Sequence, residues 1–231
     1  MEQAAQRLTR LYLGLVLYGV SMAAMVLAQL GVMPWDVLHQ GLVRAVARLG
    51  VHVSLGEMTI VIGALVLLGW IPLLQRPGLG TVSNVIVIGF AVDGALRVLP
   101  APSSVVLRVV LLLVGVALNA VATAMYIGAR LGPGPRDGLM TGIVARTGWP
   151  VRVVRTGIEV SVVAGGWLLG GNLGPGTLVY ALAIGPLVHP LLPRFEVAAS
   201  STAASSTADV TRCSASRQPV LPVVRPRSGS A

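Results

Sequence analysis

Apolar residues along this chain fall into six long blocks, at residues 11–30, 55–74, 80–98, 105–129, 153–169 and 177–192. A helix needs about 20 such residues to cross a hydrocarbon core of about 30 Å. Each block is therefore predicted to be a membrane-crossing helix. Two shorter amphipathic stretches interrupt the series. One follows Pro34-Trp35-Asp36, the other Pro135-Arg136-Asp137. Some 15 helical residues reach only about 22 Å, so both are predicted to be half-helices that enter or lie on the membrane without crossing it.

The pattern repeats itself. Shifting the chain by 101 residues aligns 14–70 with 115–171 without a gap, and roughly a third of the aligned positions are identical. Gly31, Pro34, Asp36, Leu38 and Gly41 fall on Gly132, Pro135, Asp137, Leu139 and Gly142. Beyond an insertion around 72–77 the shift becomes 96, and Gly78-x-Gly80-Thr81 falls on Gly174-x-Gly176-Thr177. The expected fold is an all-α membrane protein of about six transmembrane helices in two three-span repeats, each with one non-crossing half-helix. An odd number of crossings per repeat inverts the second copy relative to the first, the arrangement typical of secondary transporters. If the half-helices crossed as well, eight spans would make the copies parallel. Repeat one is placed at 11–100 and repeat two at 112–193, within a membrane domain of 1–193.

Composition agrees. The chain is 55% apolar and only 11% charged, against about 25% charged in a typical soluble domain. Its formal charge of +9 comes from 17 arginines and no lysine. With six spans and both termini inside, 13 arginines lie inside and 4 outside, as the positive-inside rule requires. That placement explains the basic charge without nucleic acid. The stretch 11–30 sits behind Arg7 and Arg10 like a signal sequence, but it recurs at 112–131, so it is read as a retained first span. From Arg194 the chain turns Ser-, Ala-, Thr-, Pro- and Arg-rich, and 194–231 is expected to be a disordered cytoplasmic tail.

Chemistry-bearing residues are few. The single cysteine, Cys213, lies in the tail, and the three histidines fit no ligand spacing, so no metal and no cofactor are expected. Enzyme motifs are absent, and the chain is not expected to be an enzyme. Asp36 and Asp137 each follow a proline by two residues at a helix start. Such a carboxylate can cap the helix, and an intramembrane carboxylate can also bind a cation, a proton or a polar substrate. Pro34, Asp36, Pro135, Arg136, Asp137 and Glu159 are the candidate substrate-binding residues. Glu159 lies at i+4 from Arg155 and is expected to pair with it. Thr81 and Thr177 are expected to cap the helices that follow them. Asn84 and Asp93 are weaker candidates for lining a cavity. Any ligand is expected between the repeats, near the two Pro-x-Asp turns. With Arg136 nearby, an anionic or zwitterionic group is favoured there, unless the aspartates occupy the helix N–H groups.

The segments GVMPWDVLHQGL, LGPGPRDGLMTG, RTGIEV and GGNLGPGTL resemble the bacterial YczE/YyaS/YitT-type membrane proteins, over residues 11–193. The resemblance implies a multi-pass bacterial plasma-membrane protein and supplies no catalytic or binding residues. The partners expected are the lipid bilayer and an unknown small solute, with no nucleic acid; a homodimer is left open. Two functions remain in view. One is a small-solute transporter with its site between the repeats. The other is a non-transporting accessory or assembly factor, for example in secondary-metabolite production.

Overall fold

The structure, a computed structural model, describes residues 2–195. Eight α-helices follow one another, and there is no strand among the described residues: α1 (Glu2–Ala28), α2 (Pro34–Ala47), α3 (Leu55–Gly69), α4 (Leu79–Val98), α5 (Val105–Gly128), α6 (Pro135–Thr147), α7 (Val151–Leu168) and α8 (Pro175–Phe195). The expected disordered tail lies outside the described residues, except that α8 runs on through Phe195.

Four of these helices, α1, α4, α5 and α8, are long and apolar enough to cross a membrane. The second and fifth apolar blocks are helical as expected but shorter. α3 has 15 residues, because the chain turns at 70–74 before Pro77. α7 has 18 residues and carries Arg152, Arg155 and Glu159 in its first half. The two amphipathic stretches form short helices of 14 and 13 residues. Large apolar side chains stand fully outward, Phe90 at 70% and Val106 at 74% exposure among them. Water would penalise such a surface; lipid chains cover it without cost.

α1 is the most buried span. Leu11, Leu15, Met22 and Met25 are enclosed completely, because α1 packs against α5 on one side and α4 on another, while α5 packs against α8. Small residues allow the close approach. A Cβ on Gly14 would meet Tyr126 N at 2.9 Å, Ala122 O at 3.0 Å and Met125 Cβ at 3.1 Å; one on Gly115 would meet Met25, Ser21 O and Ala24. Every neighbour in the first set stands 101 positions beyond one in the second. Neighbours fall in number along α5 as they rise along α1, so the two helices are antiparallel. Tyr12 meets Ser83 and Gly19 meets Ala91, so α1 and α4 are parallel. Asn119 meets Tyr180 and Leu112 meets Gly176, so α5 and α8 are parallel too.

Two further contacts cross over: α2 packs on α7, and α6 on α3. A Cβ on Gly138 would strike the buried Trp70 ring, whose Nε1 donates to Pro135 O at 3.0 Å. Opposite, a Cβ on Gly171 would lie 2.0 Å from Val37 O. These two contacts also join matched positions.

One pair of matched interfaces differs. α3 closes tightly on α4: a Cβ on Gly56 would lie 2.1 Å from Gly89 O. Asp93 fixes this seam by accepting from Ser54 Oγ and from Gly56 N, the latter at 2.8 Å. Ser54 in turn forms a capping box with Glu57 at the start of α3. Asp93 is thus a clamp between two helices rather than a cavity residue. At the matched glycines of α7 and α8, Gly157 and Gly185, a Cβ would meet no atom within 4 Å. That seam is open.

Candidate functional site

Two connectors set the site. After α1 the chain turns inward through Gln29 and Gly31, both at positive φ; after α5 it does the same through Arg130 and Gly132. Gly31 (φ 115°) and Gly132 (φ 128°) hold a backbone region closed to most side chains. Each connector is strapped to the start of a span: Gly176 N donates to Leu30 O at 2.7 Å, and Gly80 N to Leu131 O at 2.8 Å. Thr81 Oγ1 accepts from Gly78 N at 3.2 Å and donates to Pro133 O at 2.7 Å; Thr177 Oγ1 accepts from Gly174 N at 3.5 Å. The threonines, expected to cap these helices, instead each stand at the third helical position and reach back to the N–H of the residue before the helix.

The straps bring the starts of α2 and α6 to one cavity of about 390 Å³. Pro34, Pro135, Arg136, Asp137 and Glu159 all line it, as does Asn84. Asp36 stands just behind this wall, fully buried. The aspartates are not caps. Met33 and Gly134 hold the N-cap positions without any side-chain cap bond. Proline occupies the first helical position in each case, which places both carboxylates at the third, the position from which Thr81 reaches back to Gly78 N; here Asp36 makes no such bond and Asp137 takes the Tyr126 hydroxyl instead.

The matched aspartates have unequal surroundings. Asp36 accepts no hydrogen bond among the described residues. Its nearest polar neighbours are His39 Nδ1 at 3.4 Å and Arg136 Nη2 at 3.9 Å. Arg136 also lies over the Trp35 ring, 4.9 Å from its centroid, a cation–π arrangement. The guanidinium that favoured an anionic ligand is thus already engaged twice. Asp137 is half-buried and accepts from Tyr126 Oη at 3.2 Å. Glu159 pairs with Arg155 at 3.1 Å, as its spacing predicted.

Sequence reading passed over the rest of the wall. Tyr18, Tyr126 and Tyr180 line the cavity, with the first two edge to face at 6.3 Å. Tyr180 donates to Asn119 Oδ1 at 3.0 Å, and Asn119 Nδ2 donates to Ser21 Oγ at 2.9 Å, a buried chain joining α8, α5 and α1. His39 is buried between Asp36 and Thr59, whose Oγ1 is 3.3 Å from its Nδ1. A signal was present for the tyrosines: they are three of only four in the chain. Among the described residues, no group of His, Cys, Asp and Glu side chains is arranged to hold a metal ion.

Comparison with known proteins gives a lineage without an activity. The chain is 38% identical over 179 residues to an uncharacterized protein of Haemophilus influenzae, covering 78% of this chain and 80% of that one. It is 34% identical over 197 residues to the uncharacterized membrane protein YczE of Bacillus subtilis, covering 84% and 88%. No solved structure matches it. Residues 5–192 match the family of unknown function DUF6198, and with four helices able to cross a bilayer the chain belongs to that family as a YczE-like membrane protein.

Proposed function

We propose that this protein is a small-solute transporter of the bacterial plasma membrane, built from two inverted three-span repeats with its site in the cavity between them. The reciprocal contacts of α1 with α5, at a constant offset of 101 positions, support a two-fold relation. The antiparallel course of α1 and α5 supports its axis lying in the membrane plane, which inverts one repeat. α3 and α7 then complete six crossings as short, tilted spans, and α2 and α6 are the half-helices.

The observation that carries the transport reading is the inequality of the two seams. Gly56 on Gly89 is shut, while Gly157 and Gly185 stand apart. The cavity reaches that open seam, since Arg155, Glu159, Gly185 and His189 are among its lining. Two similar halves held in two different conformations supply both states of an alternating-access cycle: the halves exchange roles, one seam opening as the other closes. A purely structural membrane partner has no need of such a difference.

Spin labels on Gly157→Cys/Gly185→Cys in a Cys213→Ser background, in liposomes, test this. Two distance populations are expected, the shorter matching the α3–α4 spacing, with their ratio changing when substrate is present. One fixed long distance under all conditions would reject transport in favour of an accessory role. Flux of candidate solutes into proteoliposomes, with metabolite accumulation in a deletion strain to nominate them, is the direct complement.

A further inference from the structure

Charge around the cavity does not balance. Two guanidiniums face it, Arg136 and Arg155. Three carboxylates stand at or directly behind its wall: Asp36, Asp137 and Glu159. Glu159 takes Arg155 at 3.1 Å, and Asp36 draws Arg136 to 3.9 Å. Asp137 is left with a neutral donor, the Tyr126 hydroxyl. The cations that act on it are these same two arginines, each already matched to another carboxylate. The other polar side chains that face it carry no fixed charge: Tyr18 from α1, Asn84 from α4 and Tyr180 from α8; the titratable His39 on α2 and His189 farther along α8 also line the cavity. An uncompensated carboxylate in a low-dielectric wall is costly. It must carry a proton, or it must have a cation beside it.

The cavity lining suits the second option. Trp35 is covered by Arg136, but the three tyrosines border the open space. Tyrosine faces attract cations, more strongly when water is excluded. A volume of about 390 Å³ lies in the range of small-molecule sites.

We propose that the cavity takes a small organic cation, such as a substituted ammonium, against the Asp137 carboxylate, and that this cation and a proton occupy Asp137 in alternation. On cation entry the O–H bond of Asp137 breaks and the proton passes to solvent water. On cation release the carboxylate takes a proton back. The charge at the site is then the same in both loaded forms. Exchange of a proton for a cation across the membrane follows. This inference rests on the transport reading above, and specifies what that site prefers.

The test uses the full chain, purified in a nonionic detergent and titrated with benzyltrimethylammonium and, separately, benzoate. Calorimetry in two buffers of different ionisation enthalpy counts protons. Benzyltrimethylammonium is expected to bind with release of one proton, and its affinity is expected to fall about tenfold per pH unit once Asp137 is protonated in the empty protein. Asp137→Asn is expected to lose at least about tenfold in affinity together with the pH dependence, and Asp137→Glu to keep both. Binding of benzoate but not the cation would overturn this inference and leave the cavity as a ligand site. Binding of neither probe would also overturn this inference, while the Gly157–Gly185 distances would still decide the transport reading. Cation binding that releases no proton, or that survives in a monodisperse Asp137→Asn protein, would overturn the exchange.

Discussion

Trp35 and Arg136 stack on one another, the guanidinium carbon 4.9 Å from the ring centroid, and they stand 101 positions apart, the offset at which the two Pro-x-Asp segments align. The pair locks the two short helices together across the cavity. It also draws Arg136 toward Asp36, which is how one aspartate of the matched pair gains a cation and the other does not.

Removing that cation should strand Asp36. Arg136→Met leaves a fully buried carboxylate beside only His39. Breaking a buried pair costs about 3–5 kcal/mol. With Arg136 28% exposed and the contact at 3.9 Å, about 1–3 kcal/mol is expected. Asp36→Asn combined with Arg136→Met should recover most of it. Thermal denaturation in detergent across this double-mutant cycle measures the coupling; equal losses in single and double variants would refute it.

Matched glycines should respond unequally. Gly56→Ala forces a methyl against the backbone of α4 and is expected to destabilise by about 1–3 kcal/mol. Gly157→Ala meets open space and gains helix propensity, so it should be neutral or stabilising by up to about 1 kcal/mol. If the open seam closes during transport, Gly157→Ala should nonetheless slow flux. Melting temperature and flux, measured on the same preparations, separate the two effects.

The Trp70 site should tolerate loss better than gain. Trp70→Phe forfeits the bond to Pro135 O and some packing, at about 1–2 kcal/mol. Gly138→Ala drives a methyl to within 1.9 Å of the Trp70 ring and should cost more. Adding Trp70→Phe to Gly138→Ala should then restore stability rather than lower it further, which a detergent melt would read directly.

Orientation can be read by labelling. Val51 and Trp149 are exposed after α2 and after α6, at 53% and 60%. In a Cys213→Ser background, Val51→Cys should react with an impermeant maleimide in intact spheroplasts, and Trp149→Cys only after lysis. The native Cys213, beyond the described residues, should likewise be protected until lysis. Labelling of both engineered sites from the same face would reject the inverted arrangement.

Apolar periodicity by itself determined that the described residues form eight helices, because a helix in lipid must satisfy its backbone internally and so announces itself by composition; that the helices of the second and fifth apolar blocks end shorter than those blocks was set by the turns of the folded chain. The Gly–Pro spacing, read twice, also determined where the chain would turn inward. Spacing of four set the Arg155–Glu159 pair, since one helical turn decides it. Three things were decided only by tertiary structure. The two aspartates make no cap bond, because Asp36 is enclosed without a donor among the described residues and Asp137 is taken by Tyr126 from another helix. Asp93 clamps α3 to α4 while its matched partner, His189, borders a cavity. Tyr18, Tyr126, Tyr180 and His39 converge on the Pro-x-Asp turns from four different helices. Such convergence depends on crossing angles and on which glycines let which backbones touch, and those are properties of pairs of helices that no single stretch of sequence contains.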